Sequence, residues 1–350
     1  MKKEIKTIIE KLTRLLDLTE LNKIKNSVEK LFATIDDMDF KQVDSELDIV
    51  PIDKSYLLNE LQQIIETKTI ERTKYYIQRL IKGLTEIRTG KINDINLNQW
   101  KSYDDILTDS LWILDKRDNS GAHSAGYWGN FIPQIPNQFL RRFTKKGEWV
   151  LDPFVGSGTT LIEAKRLGRN GIGIDVQKKA IELTKENLKK DSSKNQVNIK
   201  LIEADSIKLD YKKILNEVGI QSVQLIILHP PYWDIIKFSD NKNDLSNAKS
   251  IDEFLKLIGK LIDRTFSILD KGRYLAIVIS DKYENGEWIP LGFYTMQEIM
   301  KRGYKLKSTI VKNFEDTTAK RNQKSLWKYR SLVGGFYIFK HEYIFLFQKK

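Results

Sequence analysis

Cysteine is absent from the 350 residues, which excludes disulfides, thiolate metal sites and cysteine nucleophiles. Histidine is scarce, with three in the chain, so a metal cluster has little to draw on and no metal is expected. No apolar run approaches the length of a membrane span, and charges interrupt MKKEIKTIIEKL where a signal core would lie. The expectation is a cytoplasmic protein with no membrane partner. Glycine and proline are nearly missing from the first third: only Gly83 and Gly90 of nineteen glycines precede residue 121, and Pro51 is the sole proline before Pro133. Acidic residues are outnumbered, 47 against 59 lysines and arginines, giving a net charge of +12. That balance favours a polyanionic partner, most simply nucleic acid, although a lysine-rich composition alone would produce it too.

Where breakers are rare, helical spacing stands out. Ile5, Ile8, Ile9, Leu12, Leu15 and Leu16 share one face, as do Ile77, Leu80, Ile81, Leu84 and Ile87. Leu57, Leu58, Leu61, Ile64 and Ile65 suggest a helix between them, after an irregular acidic connection at about 36–53. Residues 1–98 therefore read as a helical N-terminal domain, suited to packing or dimerisation at least as well as to nucleic-acid contact.

Glu148 to Val176 (EWVLDPFVGSGTTLIEAKRLGRNGIGIDV) organises the remainder. Trp149–Leu151 reads as a buried strand, Asp152–Gly158 as a glycine turn, and Thr159 or Thr160 as the cap of a helix. A second strand, Ile172–Ile174, stops at Asp175. Glycines let a backbone approach a ligand, a helix N-terminus offers unpaired N–H donors, and an acid about 20 residues on accepts from ribose hydroxyls. Taken alone, the GxG serves turn geometry equally well. Leu161 stands where a dinucleotide fingerprint needs its third glycine, which counts against NAD and FAD.

Val223–Leu228 (VQLIIL) reads as another buried strand and runs straight into His229-Pro230-Pro231-Tyr232-Trp233. Two prolines fix a rigid exit at the carboxyl edge of a parallel sheet, where α/β enzymes bind ligands.

DPFVGSGTTLIEA followed by an HPPY tetrad resembles the S-adenosylmethionine-dependent DNA methyltransferases of exocyclic amines, the N6-adenine and N4-cytosine enzymes. Their cofactor motif is matched from Asp152 to Thr160, and their catalytic tetrad begins with Asp, Asn or Ser where this chain has His229. The resemblance covers about residues 120–350. It implies S-adenosylmethionine as cofactor, with Asp152, Phe154, Gly156, Gly158, Thr159, Thr160 and Asp175 as its site, and Asp205 near the adenine amino group. Pro133-Gln134-Ile135-Pro136 is similar to a further cofactor motif, which places Asn130 and Pro133 at the methionine end. The ending Lys340–Phe347 resembles the family's last antiparallel strand. The implied fold is α/β: a mostly parallel, seven-stranded, Rossmann-like sheet over residues 99–350. The cofactor unit precedes the tetrad, as in the N6-adenine group, which favours adenine slightly over cytosine.

The resemblance further implies that His229, Pro230, Pro231 and Tyr232 are catalytic. A flipped base would stack on Tyr232, while the Pro230 carbonyl and neutral His229 accept from its amine. Double-stranded DNA is the expected partner, with room for a restriction endonuclease beside it. Lys237 lies in a polar loop after the tetrad. Lys320, Arg321, Lys324, Trp327, Lys328 and Arg330 fall in a basic-aromatic segment at 313–340 suited to phosphate contact and base stacking. Residues 99–147 carry Trp100, Tyr103, Trp112, Tyr127, Trp128 and Phe131 among glycines, the composition of a loop folded over a site. Three alternatives stay open: an RNA or tRNA amine methyltransferase, a protein or small-molecule methyltransferase, which the basic charge and the HPPY tetrad disfavour, and a non-catalytic nucleic-acid-binding module.

Overall fold

A computed structural model describes residues 2–39, 42–43, 52–114, 116–123, 129–313 and 324–350. Gly126, Tyr127, Trp128, Lys320, Arg321 and most of the acidic connection fall outside the described residues. Although composition changes at about residue 98, the chain's contacts divide it into two units, Met1–Ile106 and Leu107–Lys350.

The first unit is built on four helices: α1 (Lys2–Leu15), α2 (Leu21–Asp36), α3 (Lys54–Ile65) and α4 (Ile70–Thr85). The apolar stripes seen in the sequence meet in one core, with Leu12, Ile24, Val28, Ile35, Leu61, Ile64, Ile77 and Leu80 fully or almost fully buried. Thr69 caps α4 by accepting from the Arg72 N–H. A two-residue antiparallel pair, β1 (Gln42–Val43) with β2 (Ile52–Asp53), joins α2 to α3. Glu60, buried in this unit, is held by Arg79 and Lys101, each at 2.6 Å.

The second unit is a mixed, mostly parallel sheet. Its strands are β3 (Leu111–Trp112), β4 (Trp149–Asp152), β5 (Asn170–Asp175), β6 (Ile199–Glu203), β7 (Val223–Leu228), β8 (Leu269–Ile279), β11 (Tyr304–Asn313) and β12 (His341–Lys349). They lie in the order β3-β11-β12-β8-β7-β4-β5-β6, and β12 runs antiparallel between β8 and β11. A small hairpin, β9 (Lys282–Glu284) with β10 (Glu287–Ile289), stands apart from it.

The sheet has eight strands where seven were expected. The extra one is the edge strand β3, parallel to β11. The glycine-aromatic composition around it signalled loop, but Trp112 is buried against Phe139 and its indole N–H bonds the Asp109 carbonyl. Strand β8 runs through Gly272 at φ +77° with an irregularity against β7.

Helices cover both faces. One face packs Leu151, Ile226, Leu228, Ile277 and Phe345 under α8 (Tyr211–Glu217), α9 (Ile251–Phe266) and α10 (Leu291–Met300). The other carries α5 (Gln134–Phe143), α6 (Thr159–Arg166) and α7 (Lys178–Lys190). Here Leu161 of α6 lies on β5, and a Cβ on Gly171 or Gly173 would come within 2.5 and 2.7 Å of it. The close helix–strand approach that a third fingerprint glycine permits is supplied here by glycines in the strand. Strands β4, β5, β6 and β7 run parallel, so their carboxyl ends deliver four loops to one edge.

Candidate functional site

Strand β4 ends at Asp152, whose side chain does not reach the surface. It is fully buried, one carboxylate oxygen accepts from the Phe154 N–H at 2.9 Å, and burial pushes its carboxyl up to about 7. Asp152 therefore shapes the turn from below. The turn that follows needs positive φ at Gly156 (53°) and Gly158 (88°), where L side chains are strained. Thr184 and Asn187 of α7 bind the Gly156 and Ser157 carbonyls at 2.8 and 2.9 Å, fixing the turn from behind. Helix α6 is capped by Gly158, not by a threonine as its sequence suggested. Thr159 is its first residue, and its hydroxyl donates to Asn130 Oδ1 at 2.6 Å.

Asp175 ends β5 opposite the turn. Its Oδ2 accepts from the Gly156 N–H at 3.0 Å and its Oδ1 from the Gln177 N–H at 2.9 Å. Burial pushes this carboxyl up to about 6, opposed by the backbone donors at Gln177 and Gly156.

Between the four loops lies an open cleft. The glycine turn and Asp175 line one part of it, Asp205 and Asp244 another, and His229, Pro230, Pro231 and Tyr232 a third. Segment 129–131 borders it as well, held by Arg117, which donates to the Asn130 and Phe131 carbonyls. Gly129, at φ +77°, lets the Phe238 ring close onto the backbone, since a Cβ there would sit 2.5 Å from the ring.

The tetrad is wired. His229 Nε2 lies 3.0 Å from the Tyr232 hydroxyl, which donates to Glu342 Oε2 at 2.9 Å. Lys312 donates to Glu342 Oε1 at 3.0 Å. The His229 ring packs on Phe131, centroids 4.7 Å apart. Burial pushes the imidazole down to about 4; Glu342 opposes that shift and Lys312 adds to it. Neutral imidazole is thus the form present near pH 7. Burial first, then the Glu342 carboxylate, holds the Tyr232 phenol well above its ordinary range. Trp233, next in line, takes φ 52°, a strained value for a bulky residue. It is tethered by its indole N–H to the Ala248 carbonyl and by the Lys282 ammonium, 4.2 Å from its ring centroid.

A glycine turn, the Asp175 carboxylate and an HPPY tetrad thus share one cleft. A family model described as DNA methylase, of the N6/N4 type, matches residues 54–186 and 223–350, more than half of the chain. The chain belongs to the N6/N4 DNA methylase family. A second model, an RMKL-like methyltransferase domain, matches residues 142–260. The type II methyltransferase M.MjaII of Methanocaldococcus jannaschii is 26% identical over 290 residues, 75% of this chain and 48% of its own length. M2.DpnII of Streptococcus pneumoniae is 36% identical over 110 residues, 29% of this chain and 41% of its own. A tRNA (guanine(10)-N2)-dimethyltransferase of M. jannaschii is 28% identical over 209 residues, 55% and 58% of the two chains. The chain spans less than half the length of the first two relatives.

Membership in the N6/N4 family gives S-adenosylmethionine as the cofactor, and the donor set fits it. A carboxylate offers about four acceptor positions, so Asp175 keeps capacity beyond its backbone donors and lines the cleft. Of the residues expected at the cofactor, Asn130, Phe154, Gly156, Asp175 and Asp205 line the cleft. Asp152, Gly158, Thr159, Thr160 and Pro133 do not line it; they are turn and helix-start positions behind it. Asp205 also carries an ion pair to Lys208 at 3.1 Å and a bond from the Ile207 N–H.

The basic residues are dispersed. Lys237 is exposed and paired with Asp240 at 2.6 Å. Lys324 starts a helix, Lys324–Gly334, on which Lys328 and Arg330 are exposed and the Arg330 guanidinium lies over the half-buried Trp327 ring at 5.3 Å. The chain beyond that helix docks by aromatic stacking on the β9–β10 hairpin, Phe336 on Tyr283 and Phe339 on Trp288. The sequence reading missed Lys312 and Glu342, although a charged pair in two apolar strands is a visible signal once their register is known. No helix among the described residues is long and apolar enough to cross a membrane.

Proposed function

We propose that this chain methylates the exocyclic amino group of a base flipped out of double-stranded DNA, with N6 of adenine favoured over N4 of cytosine. The observation that supports this reading is the shared cleft, which the His229–Tyr232 tetrad, the glycine turn and Asp175 all line. The motif order supports adenine. Asp175 would accept from the ribose hydroxyls, and Asp205 would face the adenine end. The chemistry that bound S-adenosylmethionine supplies is an electrophilic methyl group.

The chain's own contribution is positioning and fixed polarity. An exocyclic amine is a weak nucleophile because its lone pair is delocalised into the ring. Acceptors at its two hydrogens favour a tetrahedral nitrogen and aim its lone pair, and such preorganised groups act most strongly out of water. The Pro230 carbonyl and neutral His229 supply these acceptors. Tyr232, tied down at its hydroxyl, offers a fixed ring for the base to stack on.

Base-resolved mapping of DNA from cells expressing the chain tests this directly, with N6-methyladenine in one sequence context as the expected result. A map holding only N4-methylcytosine would reverse the base, and unmodified DNA would remove DNA as the substrate. The kinship with the tRNA relative supports RNA as the second reading, so tRNA belongs beside duplex DNA in the transfer assay. The type II relatives support a restriction endonuclease as companion.

The basic segment has its own test. Replacing Lys320, Arg321 and Lys324 together by alanine should weaken DNA binding and flatten its salt dependence by a slope of about 0.9 per lost phosphate contact, without moving cofactor affinity. An unchanged slope would make the segment a surface connection only.

A further inference from the structure

Two charged residues, Glu342 on β12 and Lys312 on β11, are linked in series to the tetrad through the Tyr232 hydroxyl. We infer that Glu342 and Lys312 are positioning residues that select which ring nitrogen of His229 offers its lone pair to the cleft. The inference deepens the proposed function and rests on it for its catalytic consequence.

The argument follows protons. Lys312 on β11 and Glu342 on β12 are register partners, 6% and 9% exposed. An ammonium has only donors, so its bond to Oε1 keeps the carboxylate ionised and claims that oxygen. An ionised carboxylate only accepts, so the bond at Oε2 must use the single proton of the Tyr232 hydroxyl. The phenol oxygen, its proton spent, can then only accept from His229 Nε2 at 3.0 Å. Nε2 therefore carries the hydrogen. A neutral imidazole has one such hydrogen, which leaves Nδ1 as the lone-pair nitrogen. Nδ1 has no hydrogen bond among the described residues, and the ring lines the cleft. A histidine in the tetrad's first place offers a donor or an acceptor according to tautomer, whereas a carboxylate there only accepts. The relay removes that ambiguity.

Glu342→Gln tests this with almost no change of shape. Lys312 tolerates only an oxygen opposite it, so the new amide must turn its NH2 toward Tyr232. The phenol oxygen then accepts from the amide and donates its own proton to His229 Nε2. The imidazole hydrogen moves to Nδ1, and the cleft sees a donor where the amine needs an acceptor. The experiment is ¹⁵N NMR of histidine-labelled protein, whose three histidines give few signals, with His229 assigned from its loss in His229→Gln. The native protein should show Nε2–H and Glu342→Gln should show Nδ1–H. Single-turnover methyl transfer should fall about 100-fold, the scale of one preorganised polar contact, with unchanged cofactor affinity. Adding Lys312→Met lets the glutamine turn over, and it should restore the Nε2–H form and much of the lost rate. A merely structural pair would give no such recovery.

Nδ1–H in the native protein, an unchanged tautomer in Glu342→Gln, or no recovery in the double variant would each overturn the inference. The native spectrum alone decides if Glu342→Gln does not fold. Absence of transfer by the native protein to any nucleic acid would count against the proposed function, while the tautomer measurements would still judge the relay.

Discussion

His229→Ala should lower single-turnover methyl transfer by about 100- to 1000-fold, the range seen when one preorganised polar group is removed from a transition state. DNA and cofactor affinity should change little, because Asp175, the glycine turn and the basic segments remain. The acceptor matters most as the amine nitrogen becomes tetrahedral, so the defect belongs to the chemical step and excess DNA or cofactor should not repair it. The pH profile gives an independent sign. Only neutral imidazole can accept, and burial holds its pKa down at about 4, so the native rate should stay level from neutrality to mild acid. With cofactor kept saturating at each pH, it should fall only as pH drops through about 4, provided circular dichroism shows the chain still folded. Near-normal transfer by His229→Ala would leave the Pro230 carbonyl as the principal acceptor.

Asp175→Ala should weaken S-adenosylmethionine binding by about 1.5–3 kcal/mol, the range for hydrogen bonds to a charged group. The loss should fall in the upper part of that range, because the same carboxylate holds the Gly156 and Gln177 N–H groups and alanine loosens the turn as well. Burial lifts the Asp175 carboxyl to about 6 in the free protein, and ribose donors favour the ionised form. Binding therefore lowers its pKa. Native affinity should be full above about pH 6 and decline as pH falls below it, whereas Asp175→Ala should lack that decline. Calorimetry at about pH 7.5 and about pH 5, one unit or more on either side of that value, reads both effects. An Asp175→Ala variant with native affinity would remove this residue from the site.

How much of this was legible depended on whether a feature is local. Strand β4, its glycine turn, α6 and β5 form one continuous stretch whose spacing announces them, and the HPPY exit from β7 needs no partner to be recognised. Burial is less visible: Asp152 opens the motif in sequence yet lies under the turn, because the strand's last side chain points into the sheet and not toward the cleft. The relay was out of reach, since Tyr232 and Glu342 are 110 positions apart and meet only when β12 inserts beside β8. Composition was ambiguous at β3: the aromatic residues suited either a loop folded over a site or core packing at the domain entry, and Trp112 supplies an edge strand and a buried indole. The missing third glycine counted correctly against a dinucleotide, while the close approach of helix and strand, supplied by Gly171 and Gly173, could be seen only in the fold.

The sheet order has a consequence for the order of the chain. Strands β4, β5 and β6 form one uninterrupted block of chain and β7, β8, β11 and β12 another, and the two blocks meet side by side at the β4–β7 pair. A gene that encoded the second block ahead of the first would build the same sheet and bring the same loops to the same edge. Cyclic permutation at that seam is therefore invisible to the chemistry. The order of the two motifs along the chain leaves unchanged the set of loops that meet at the cleft.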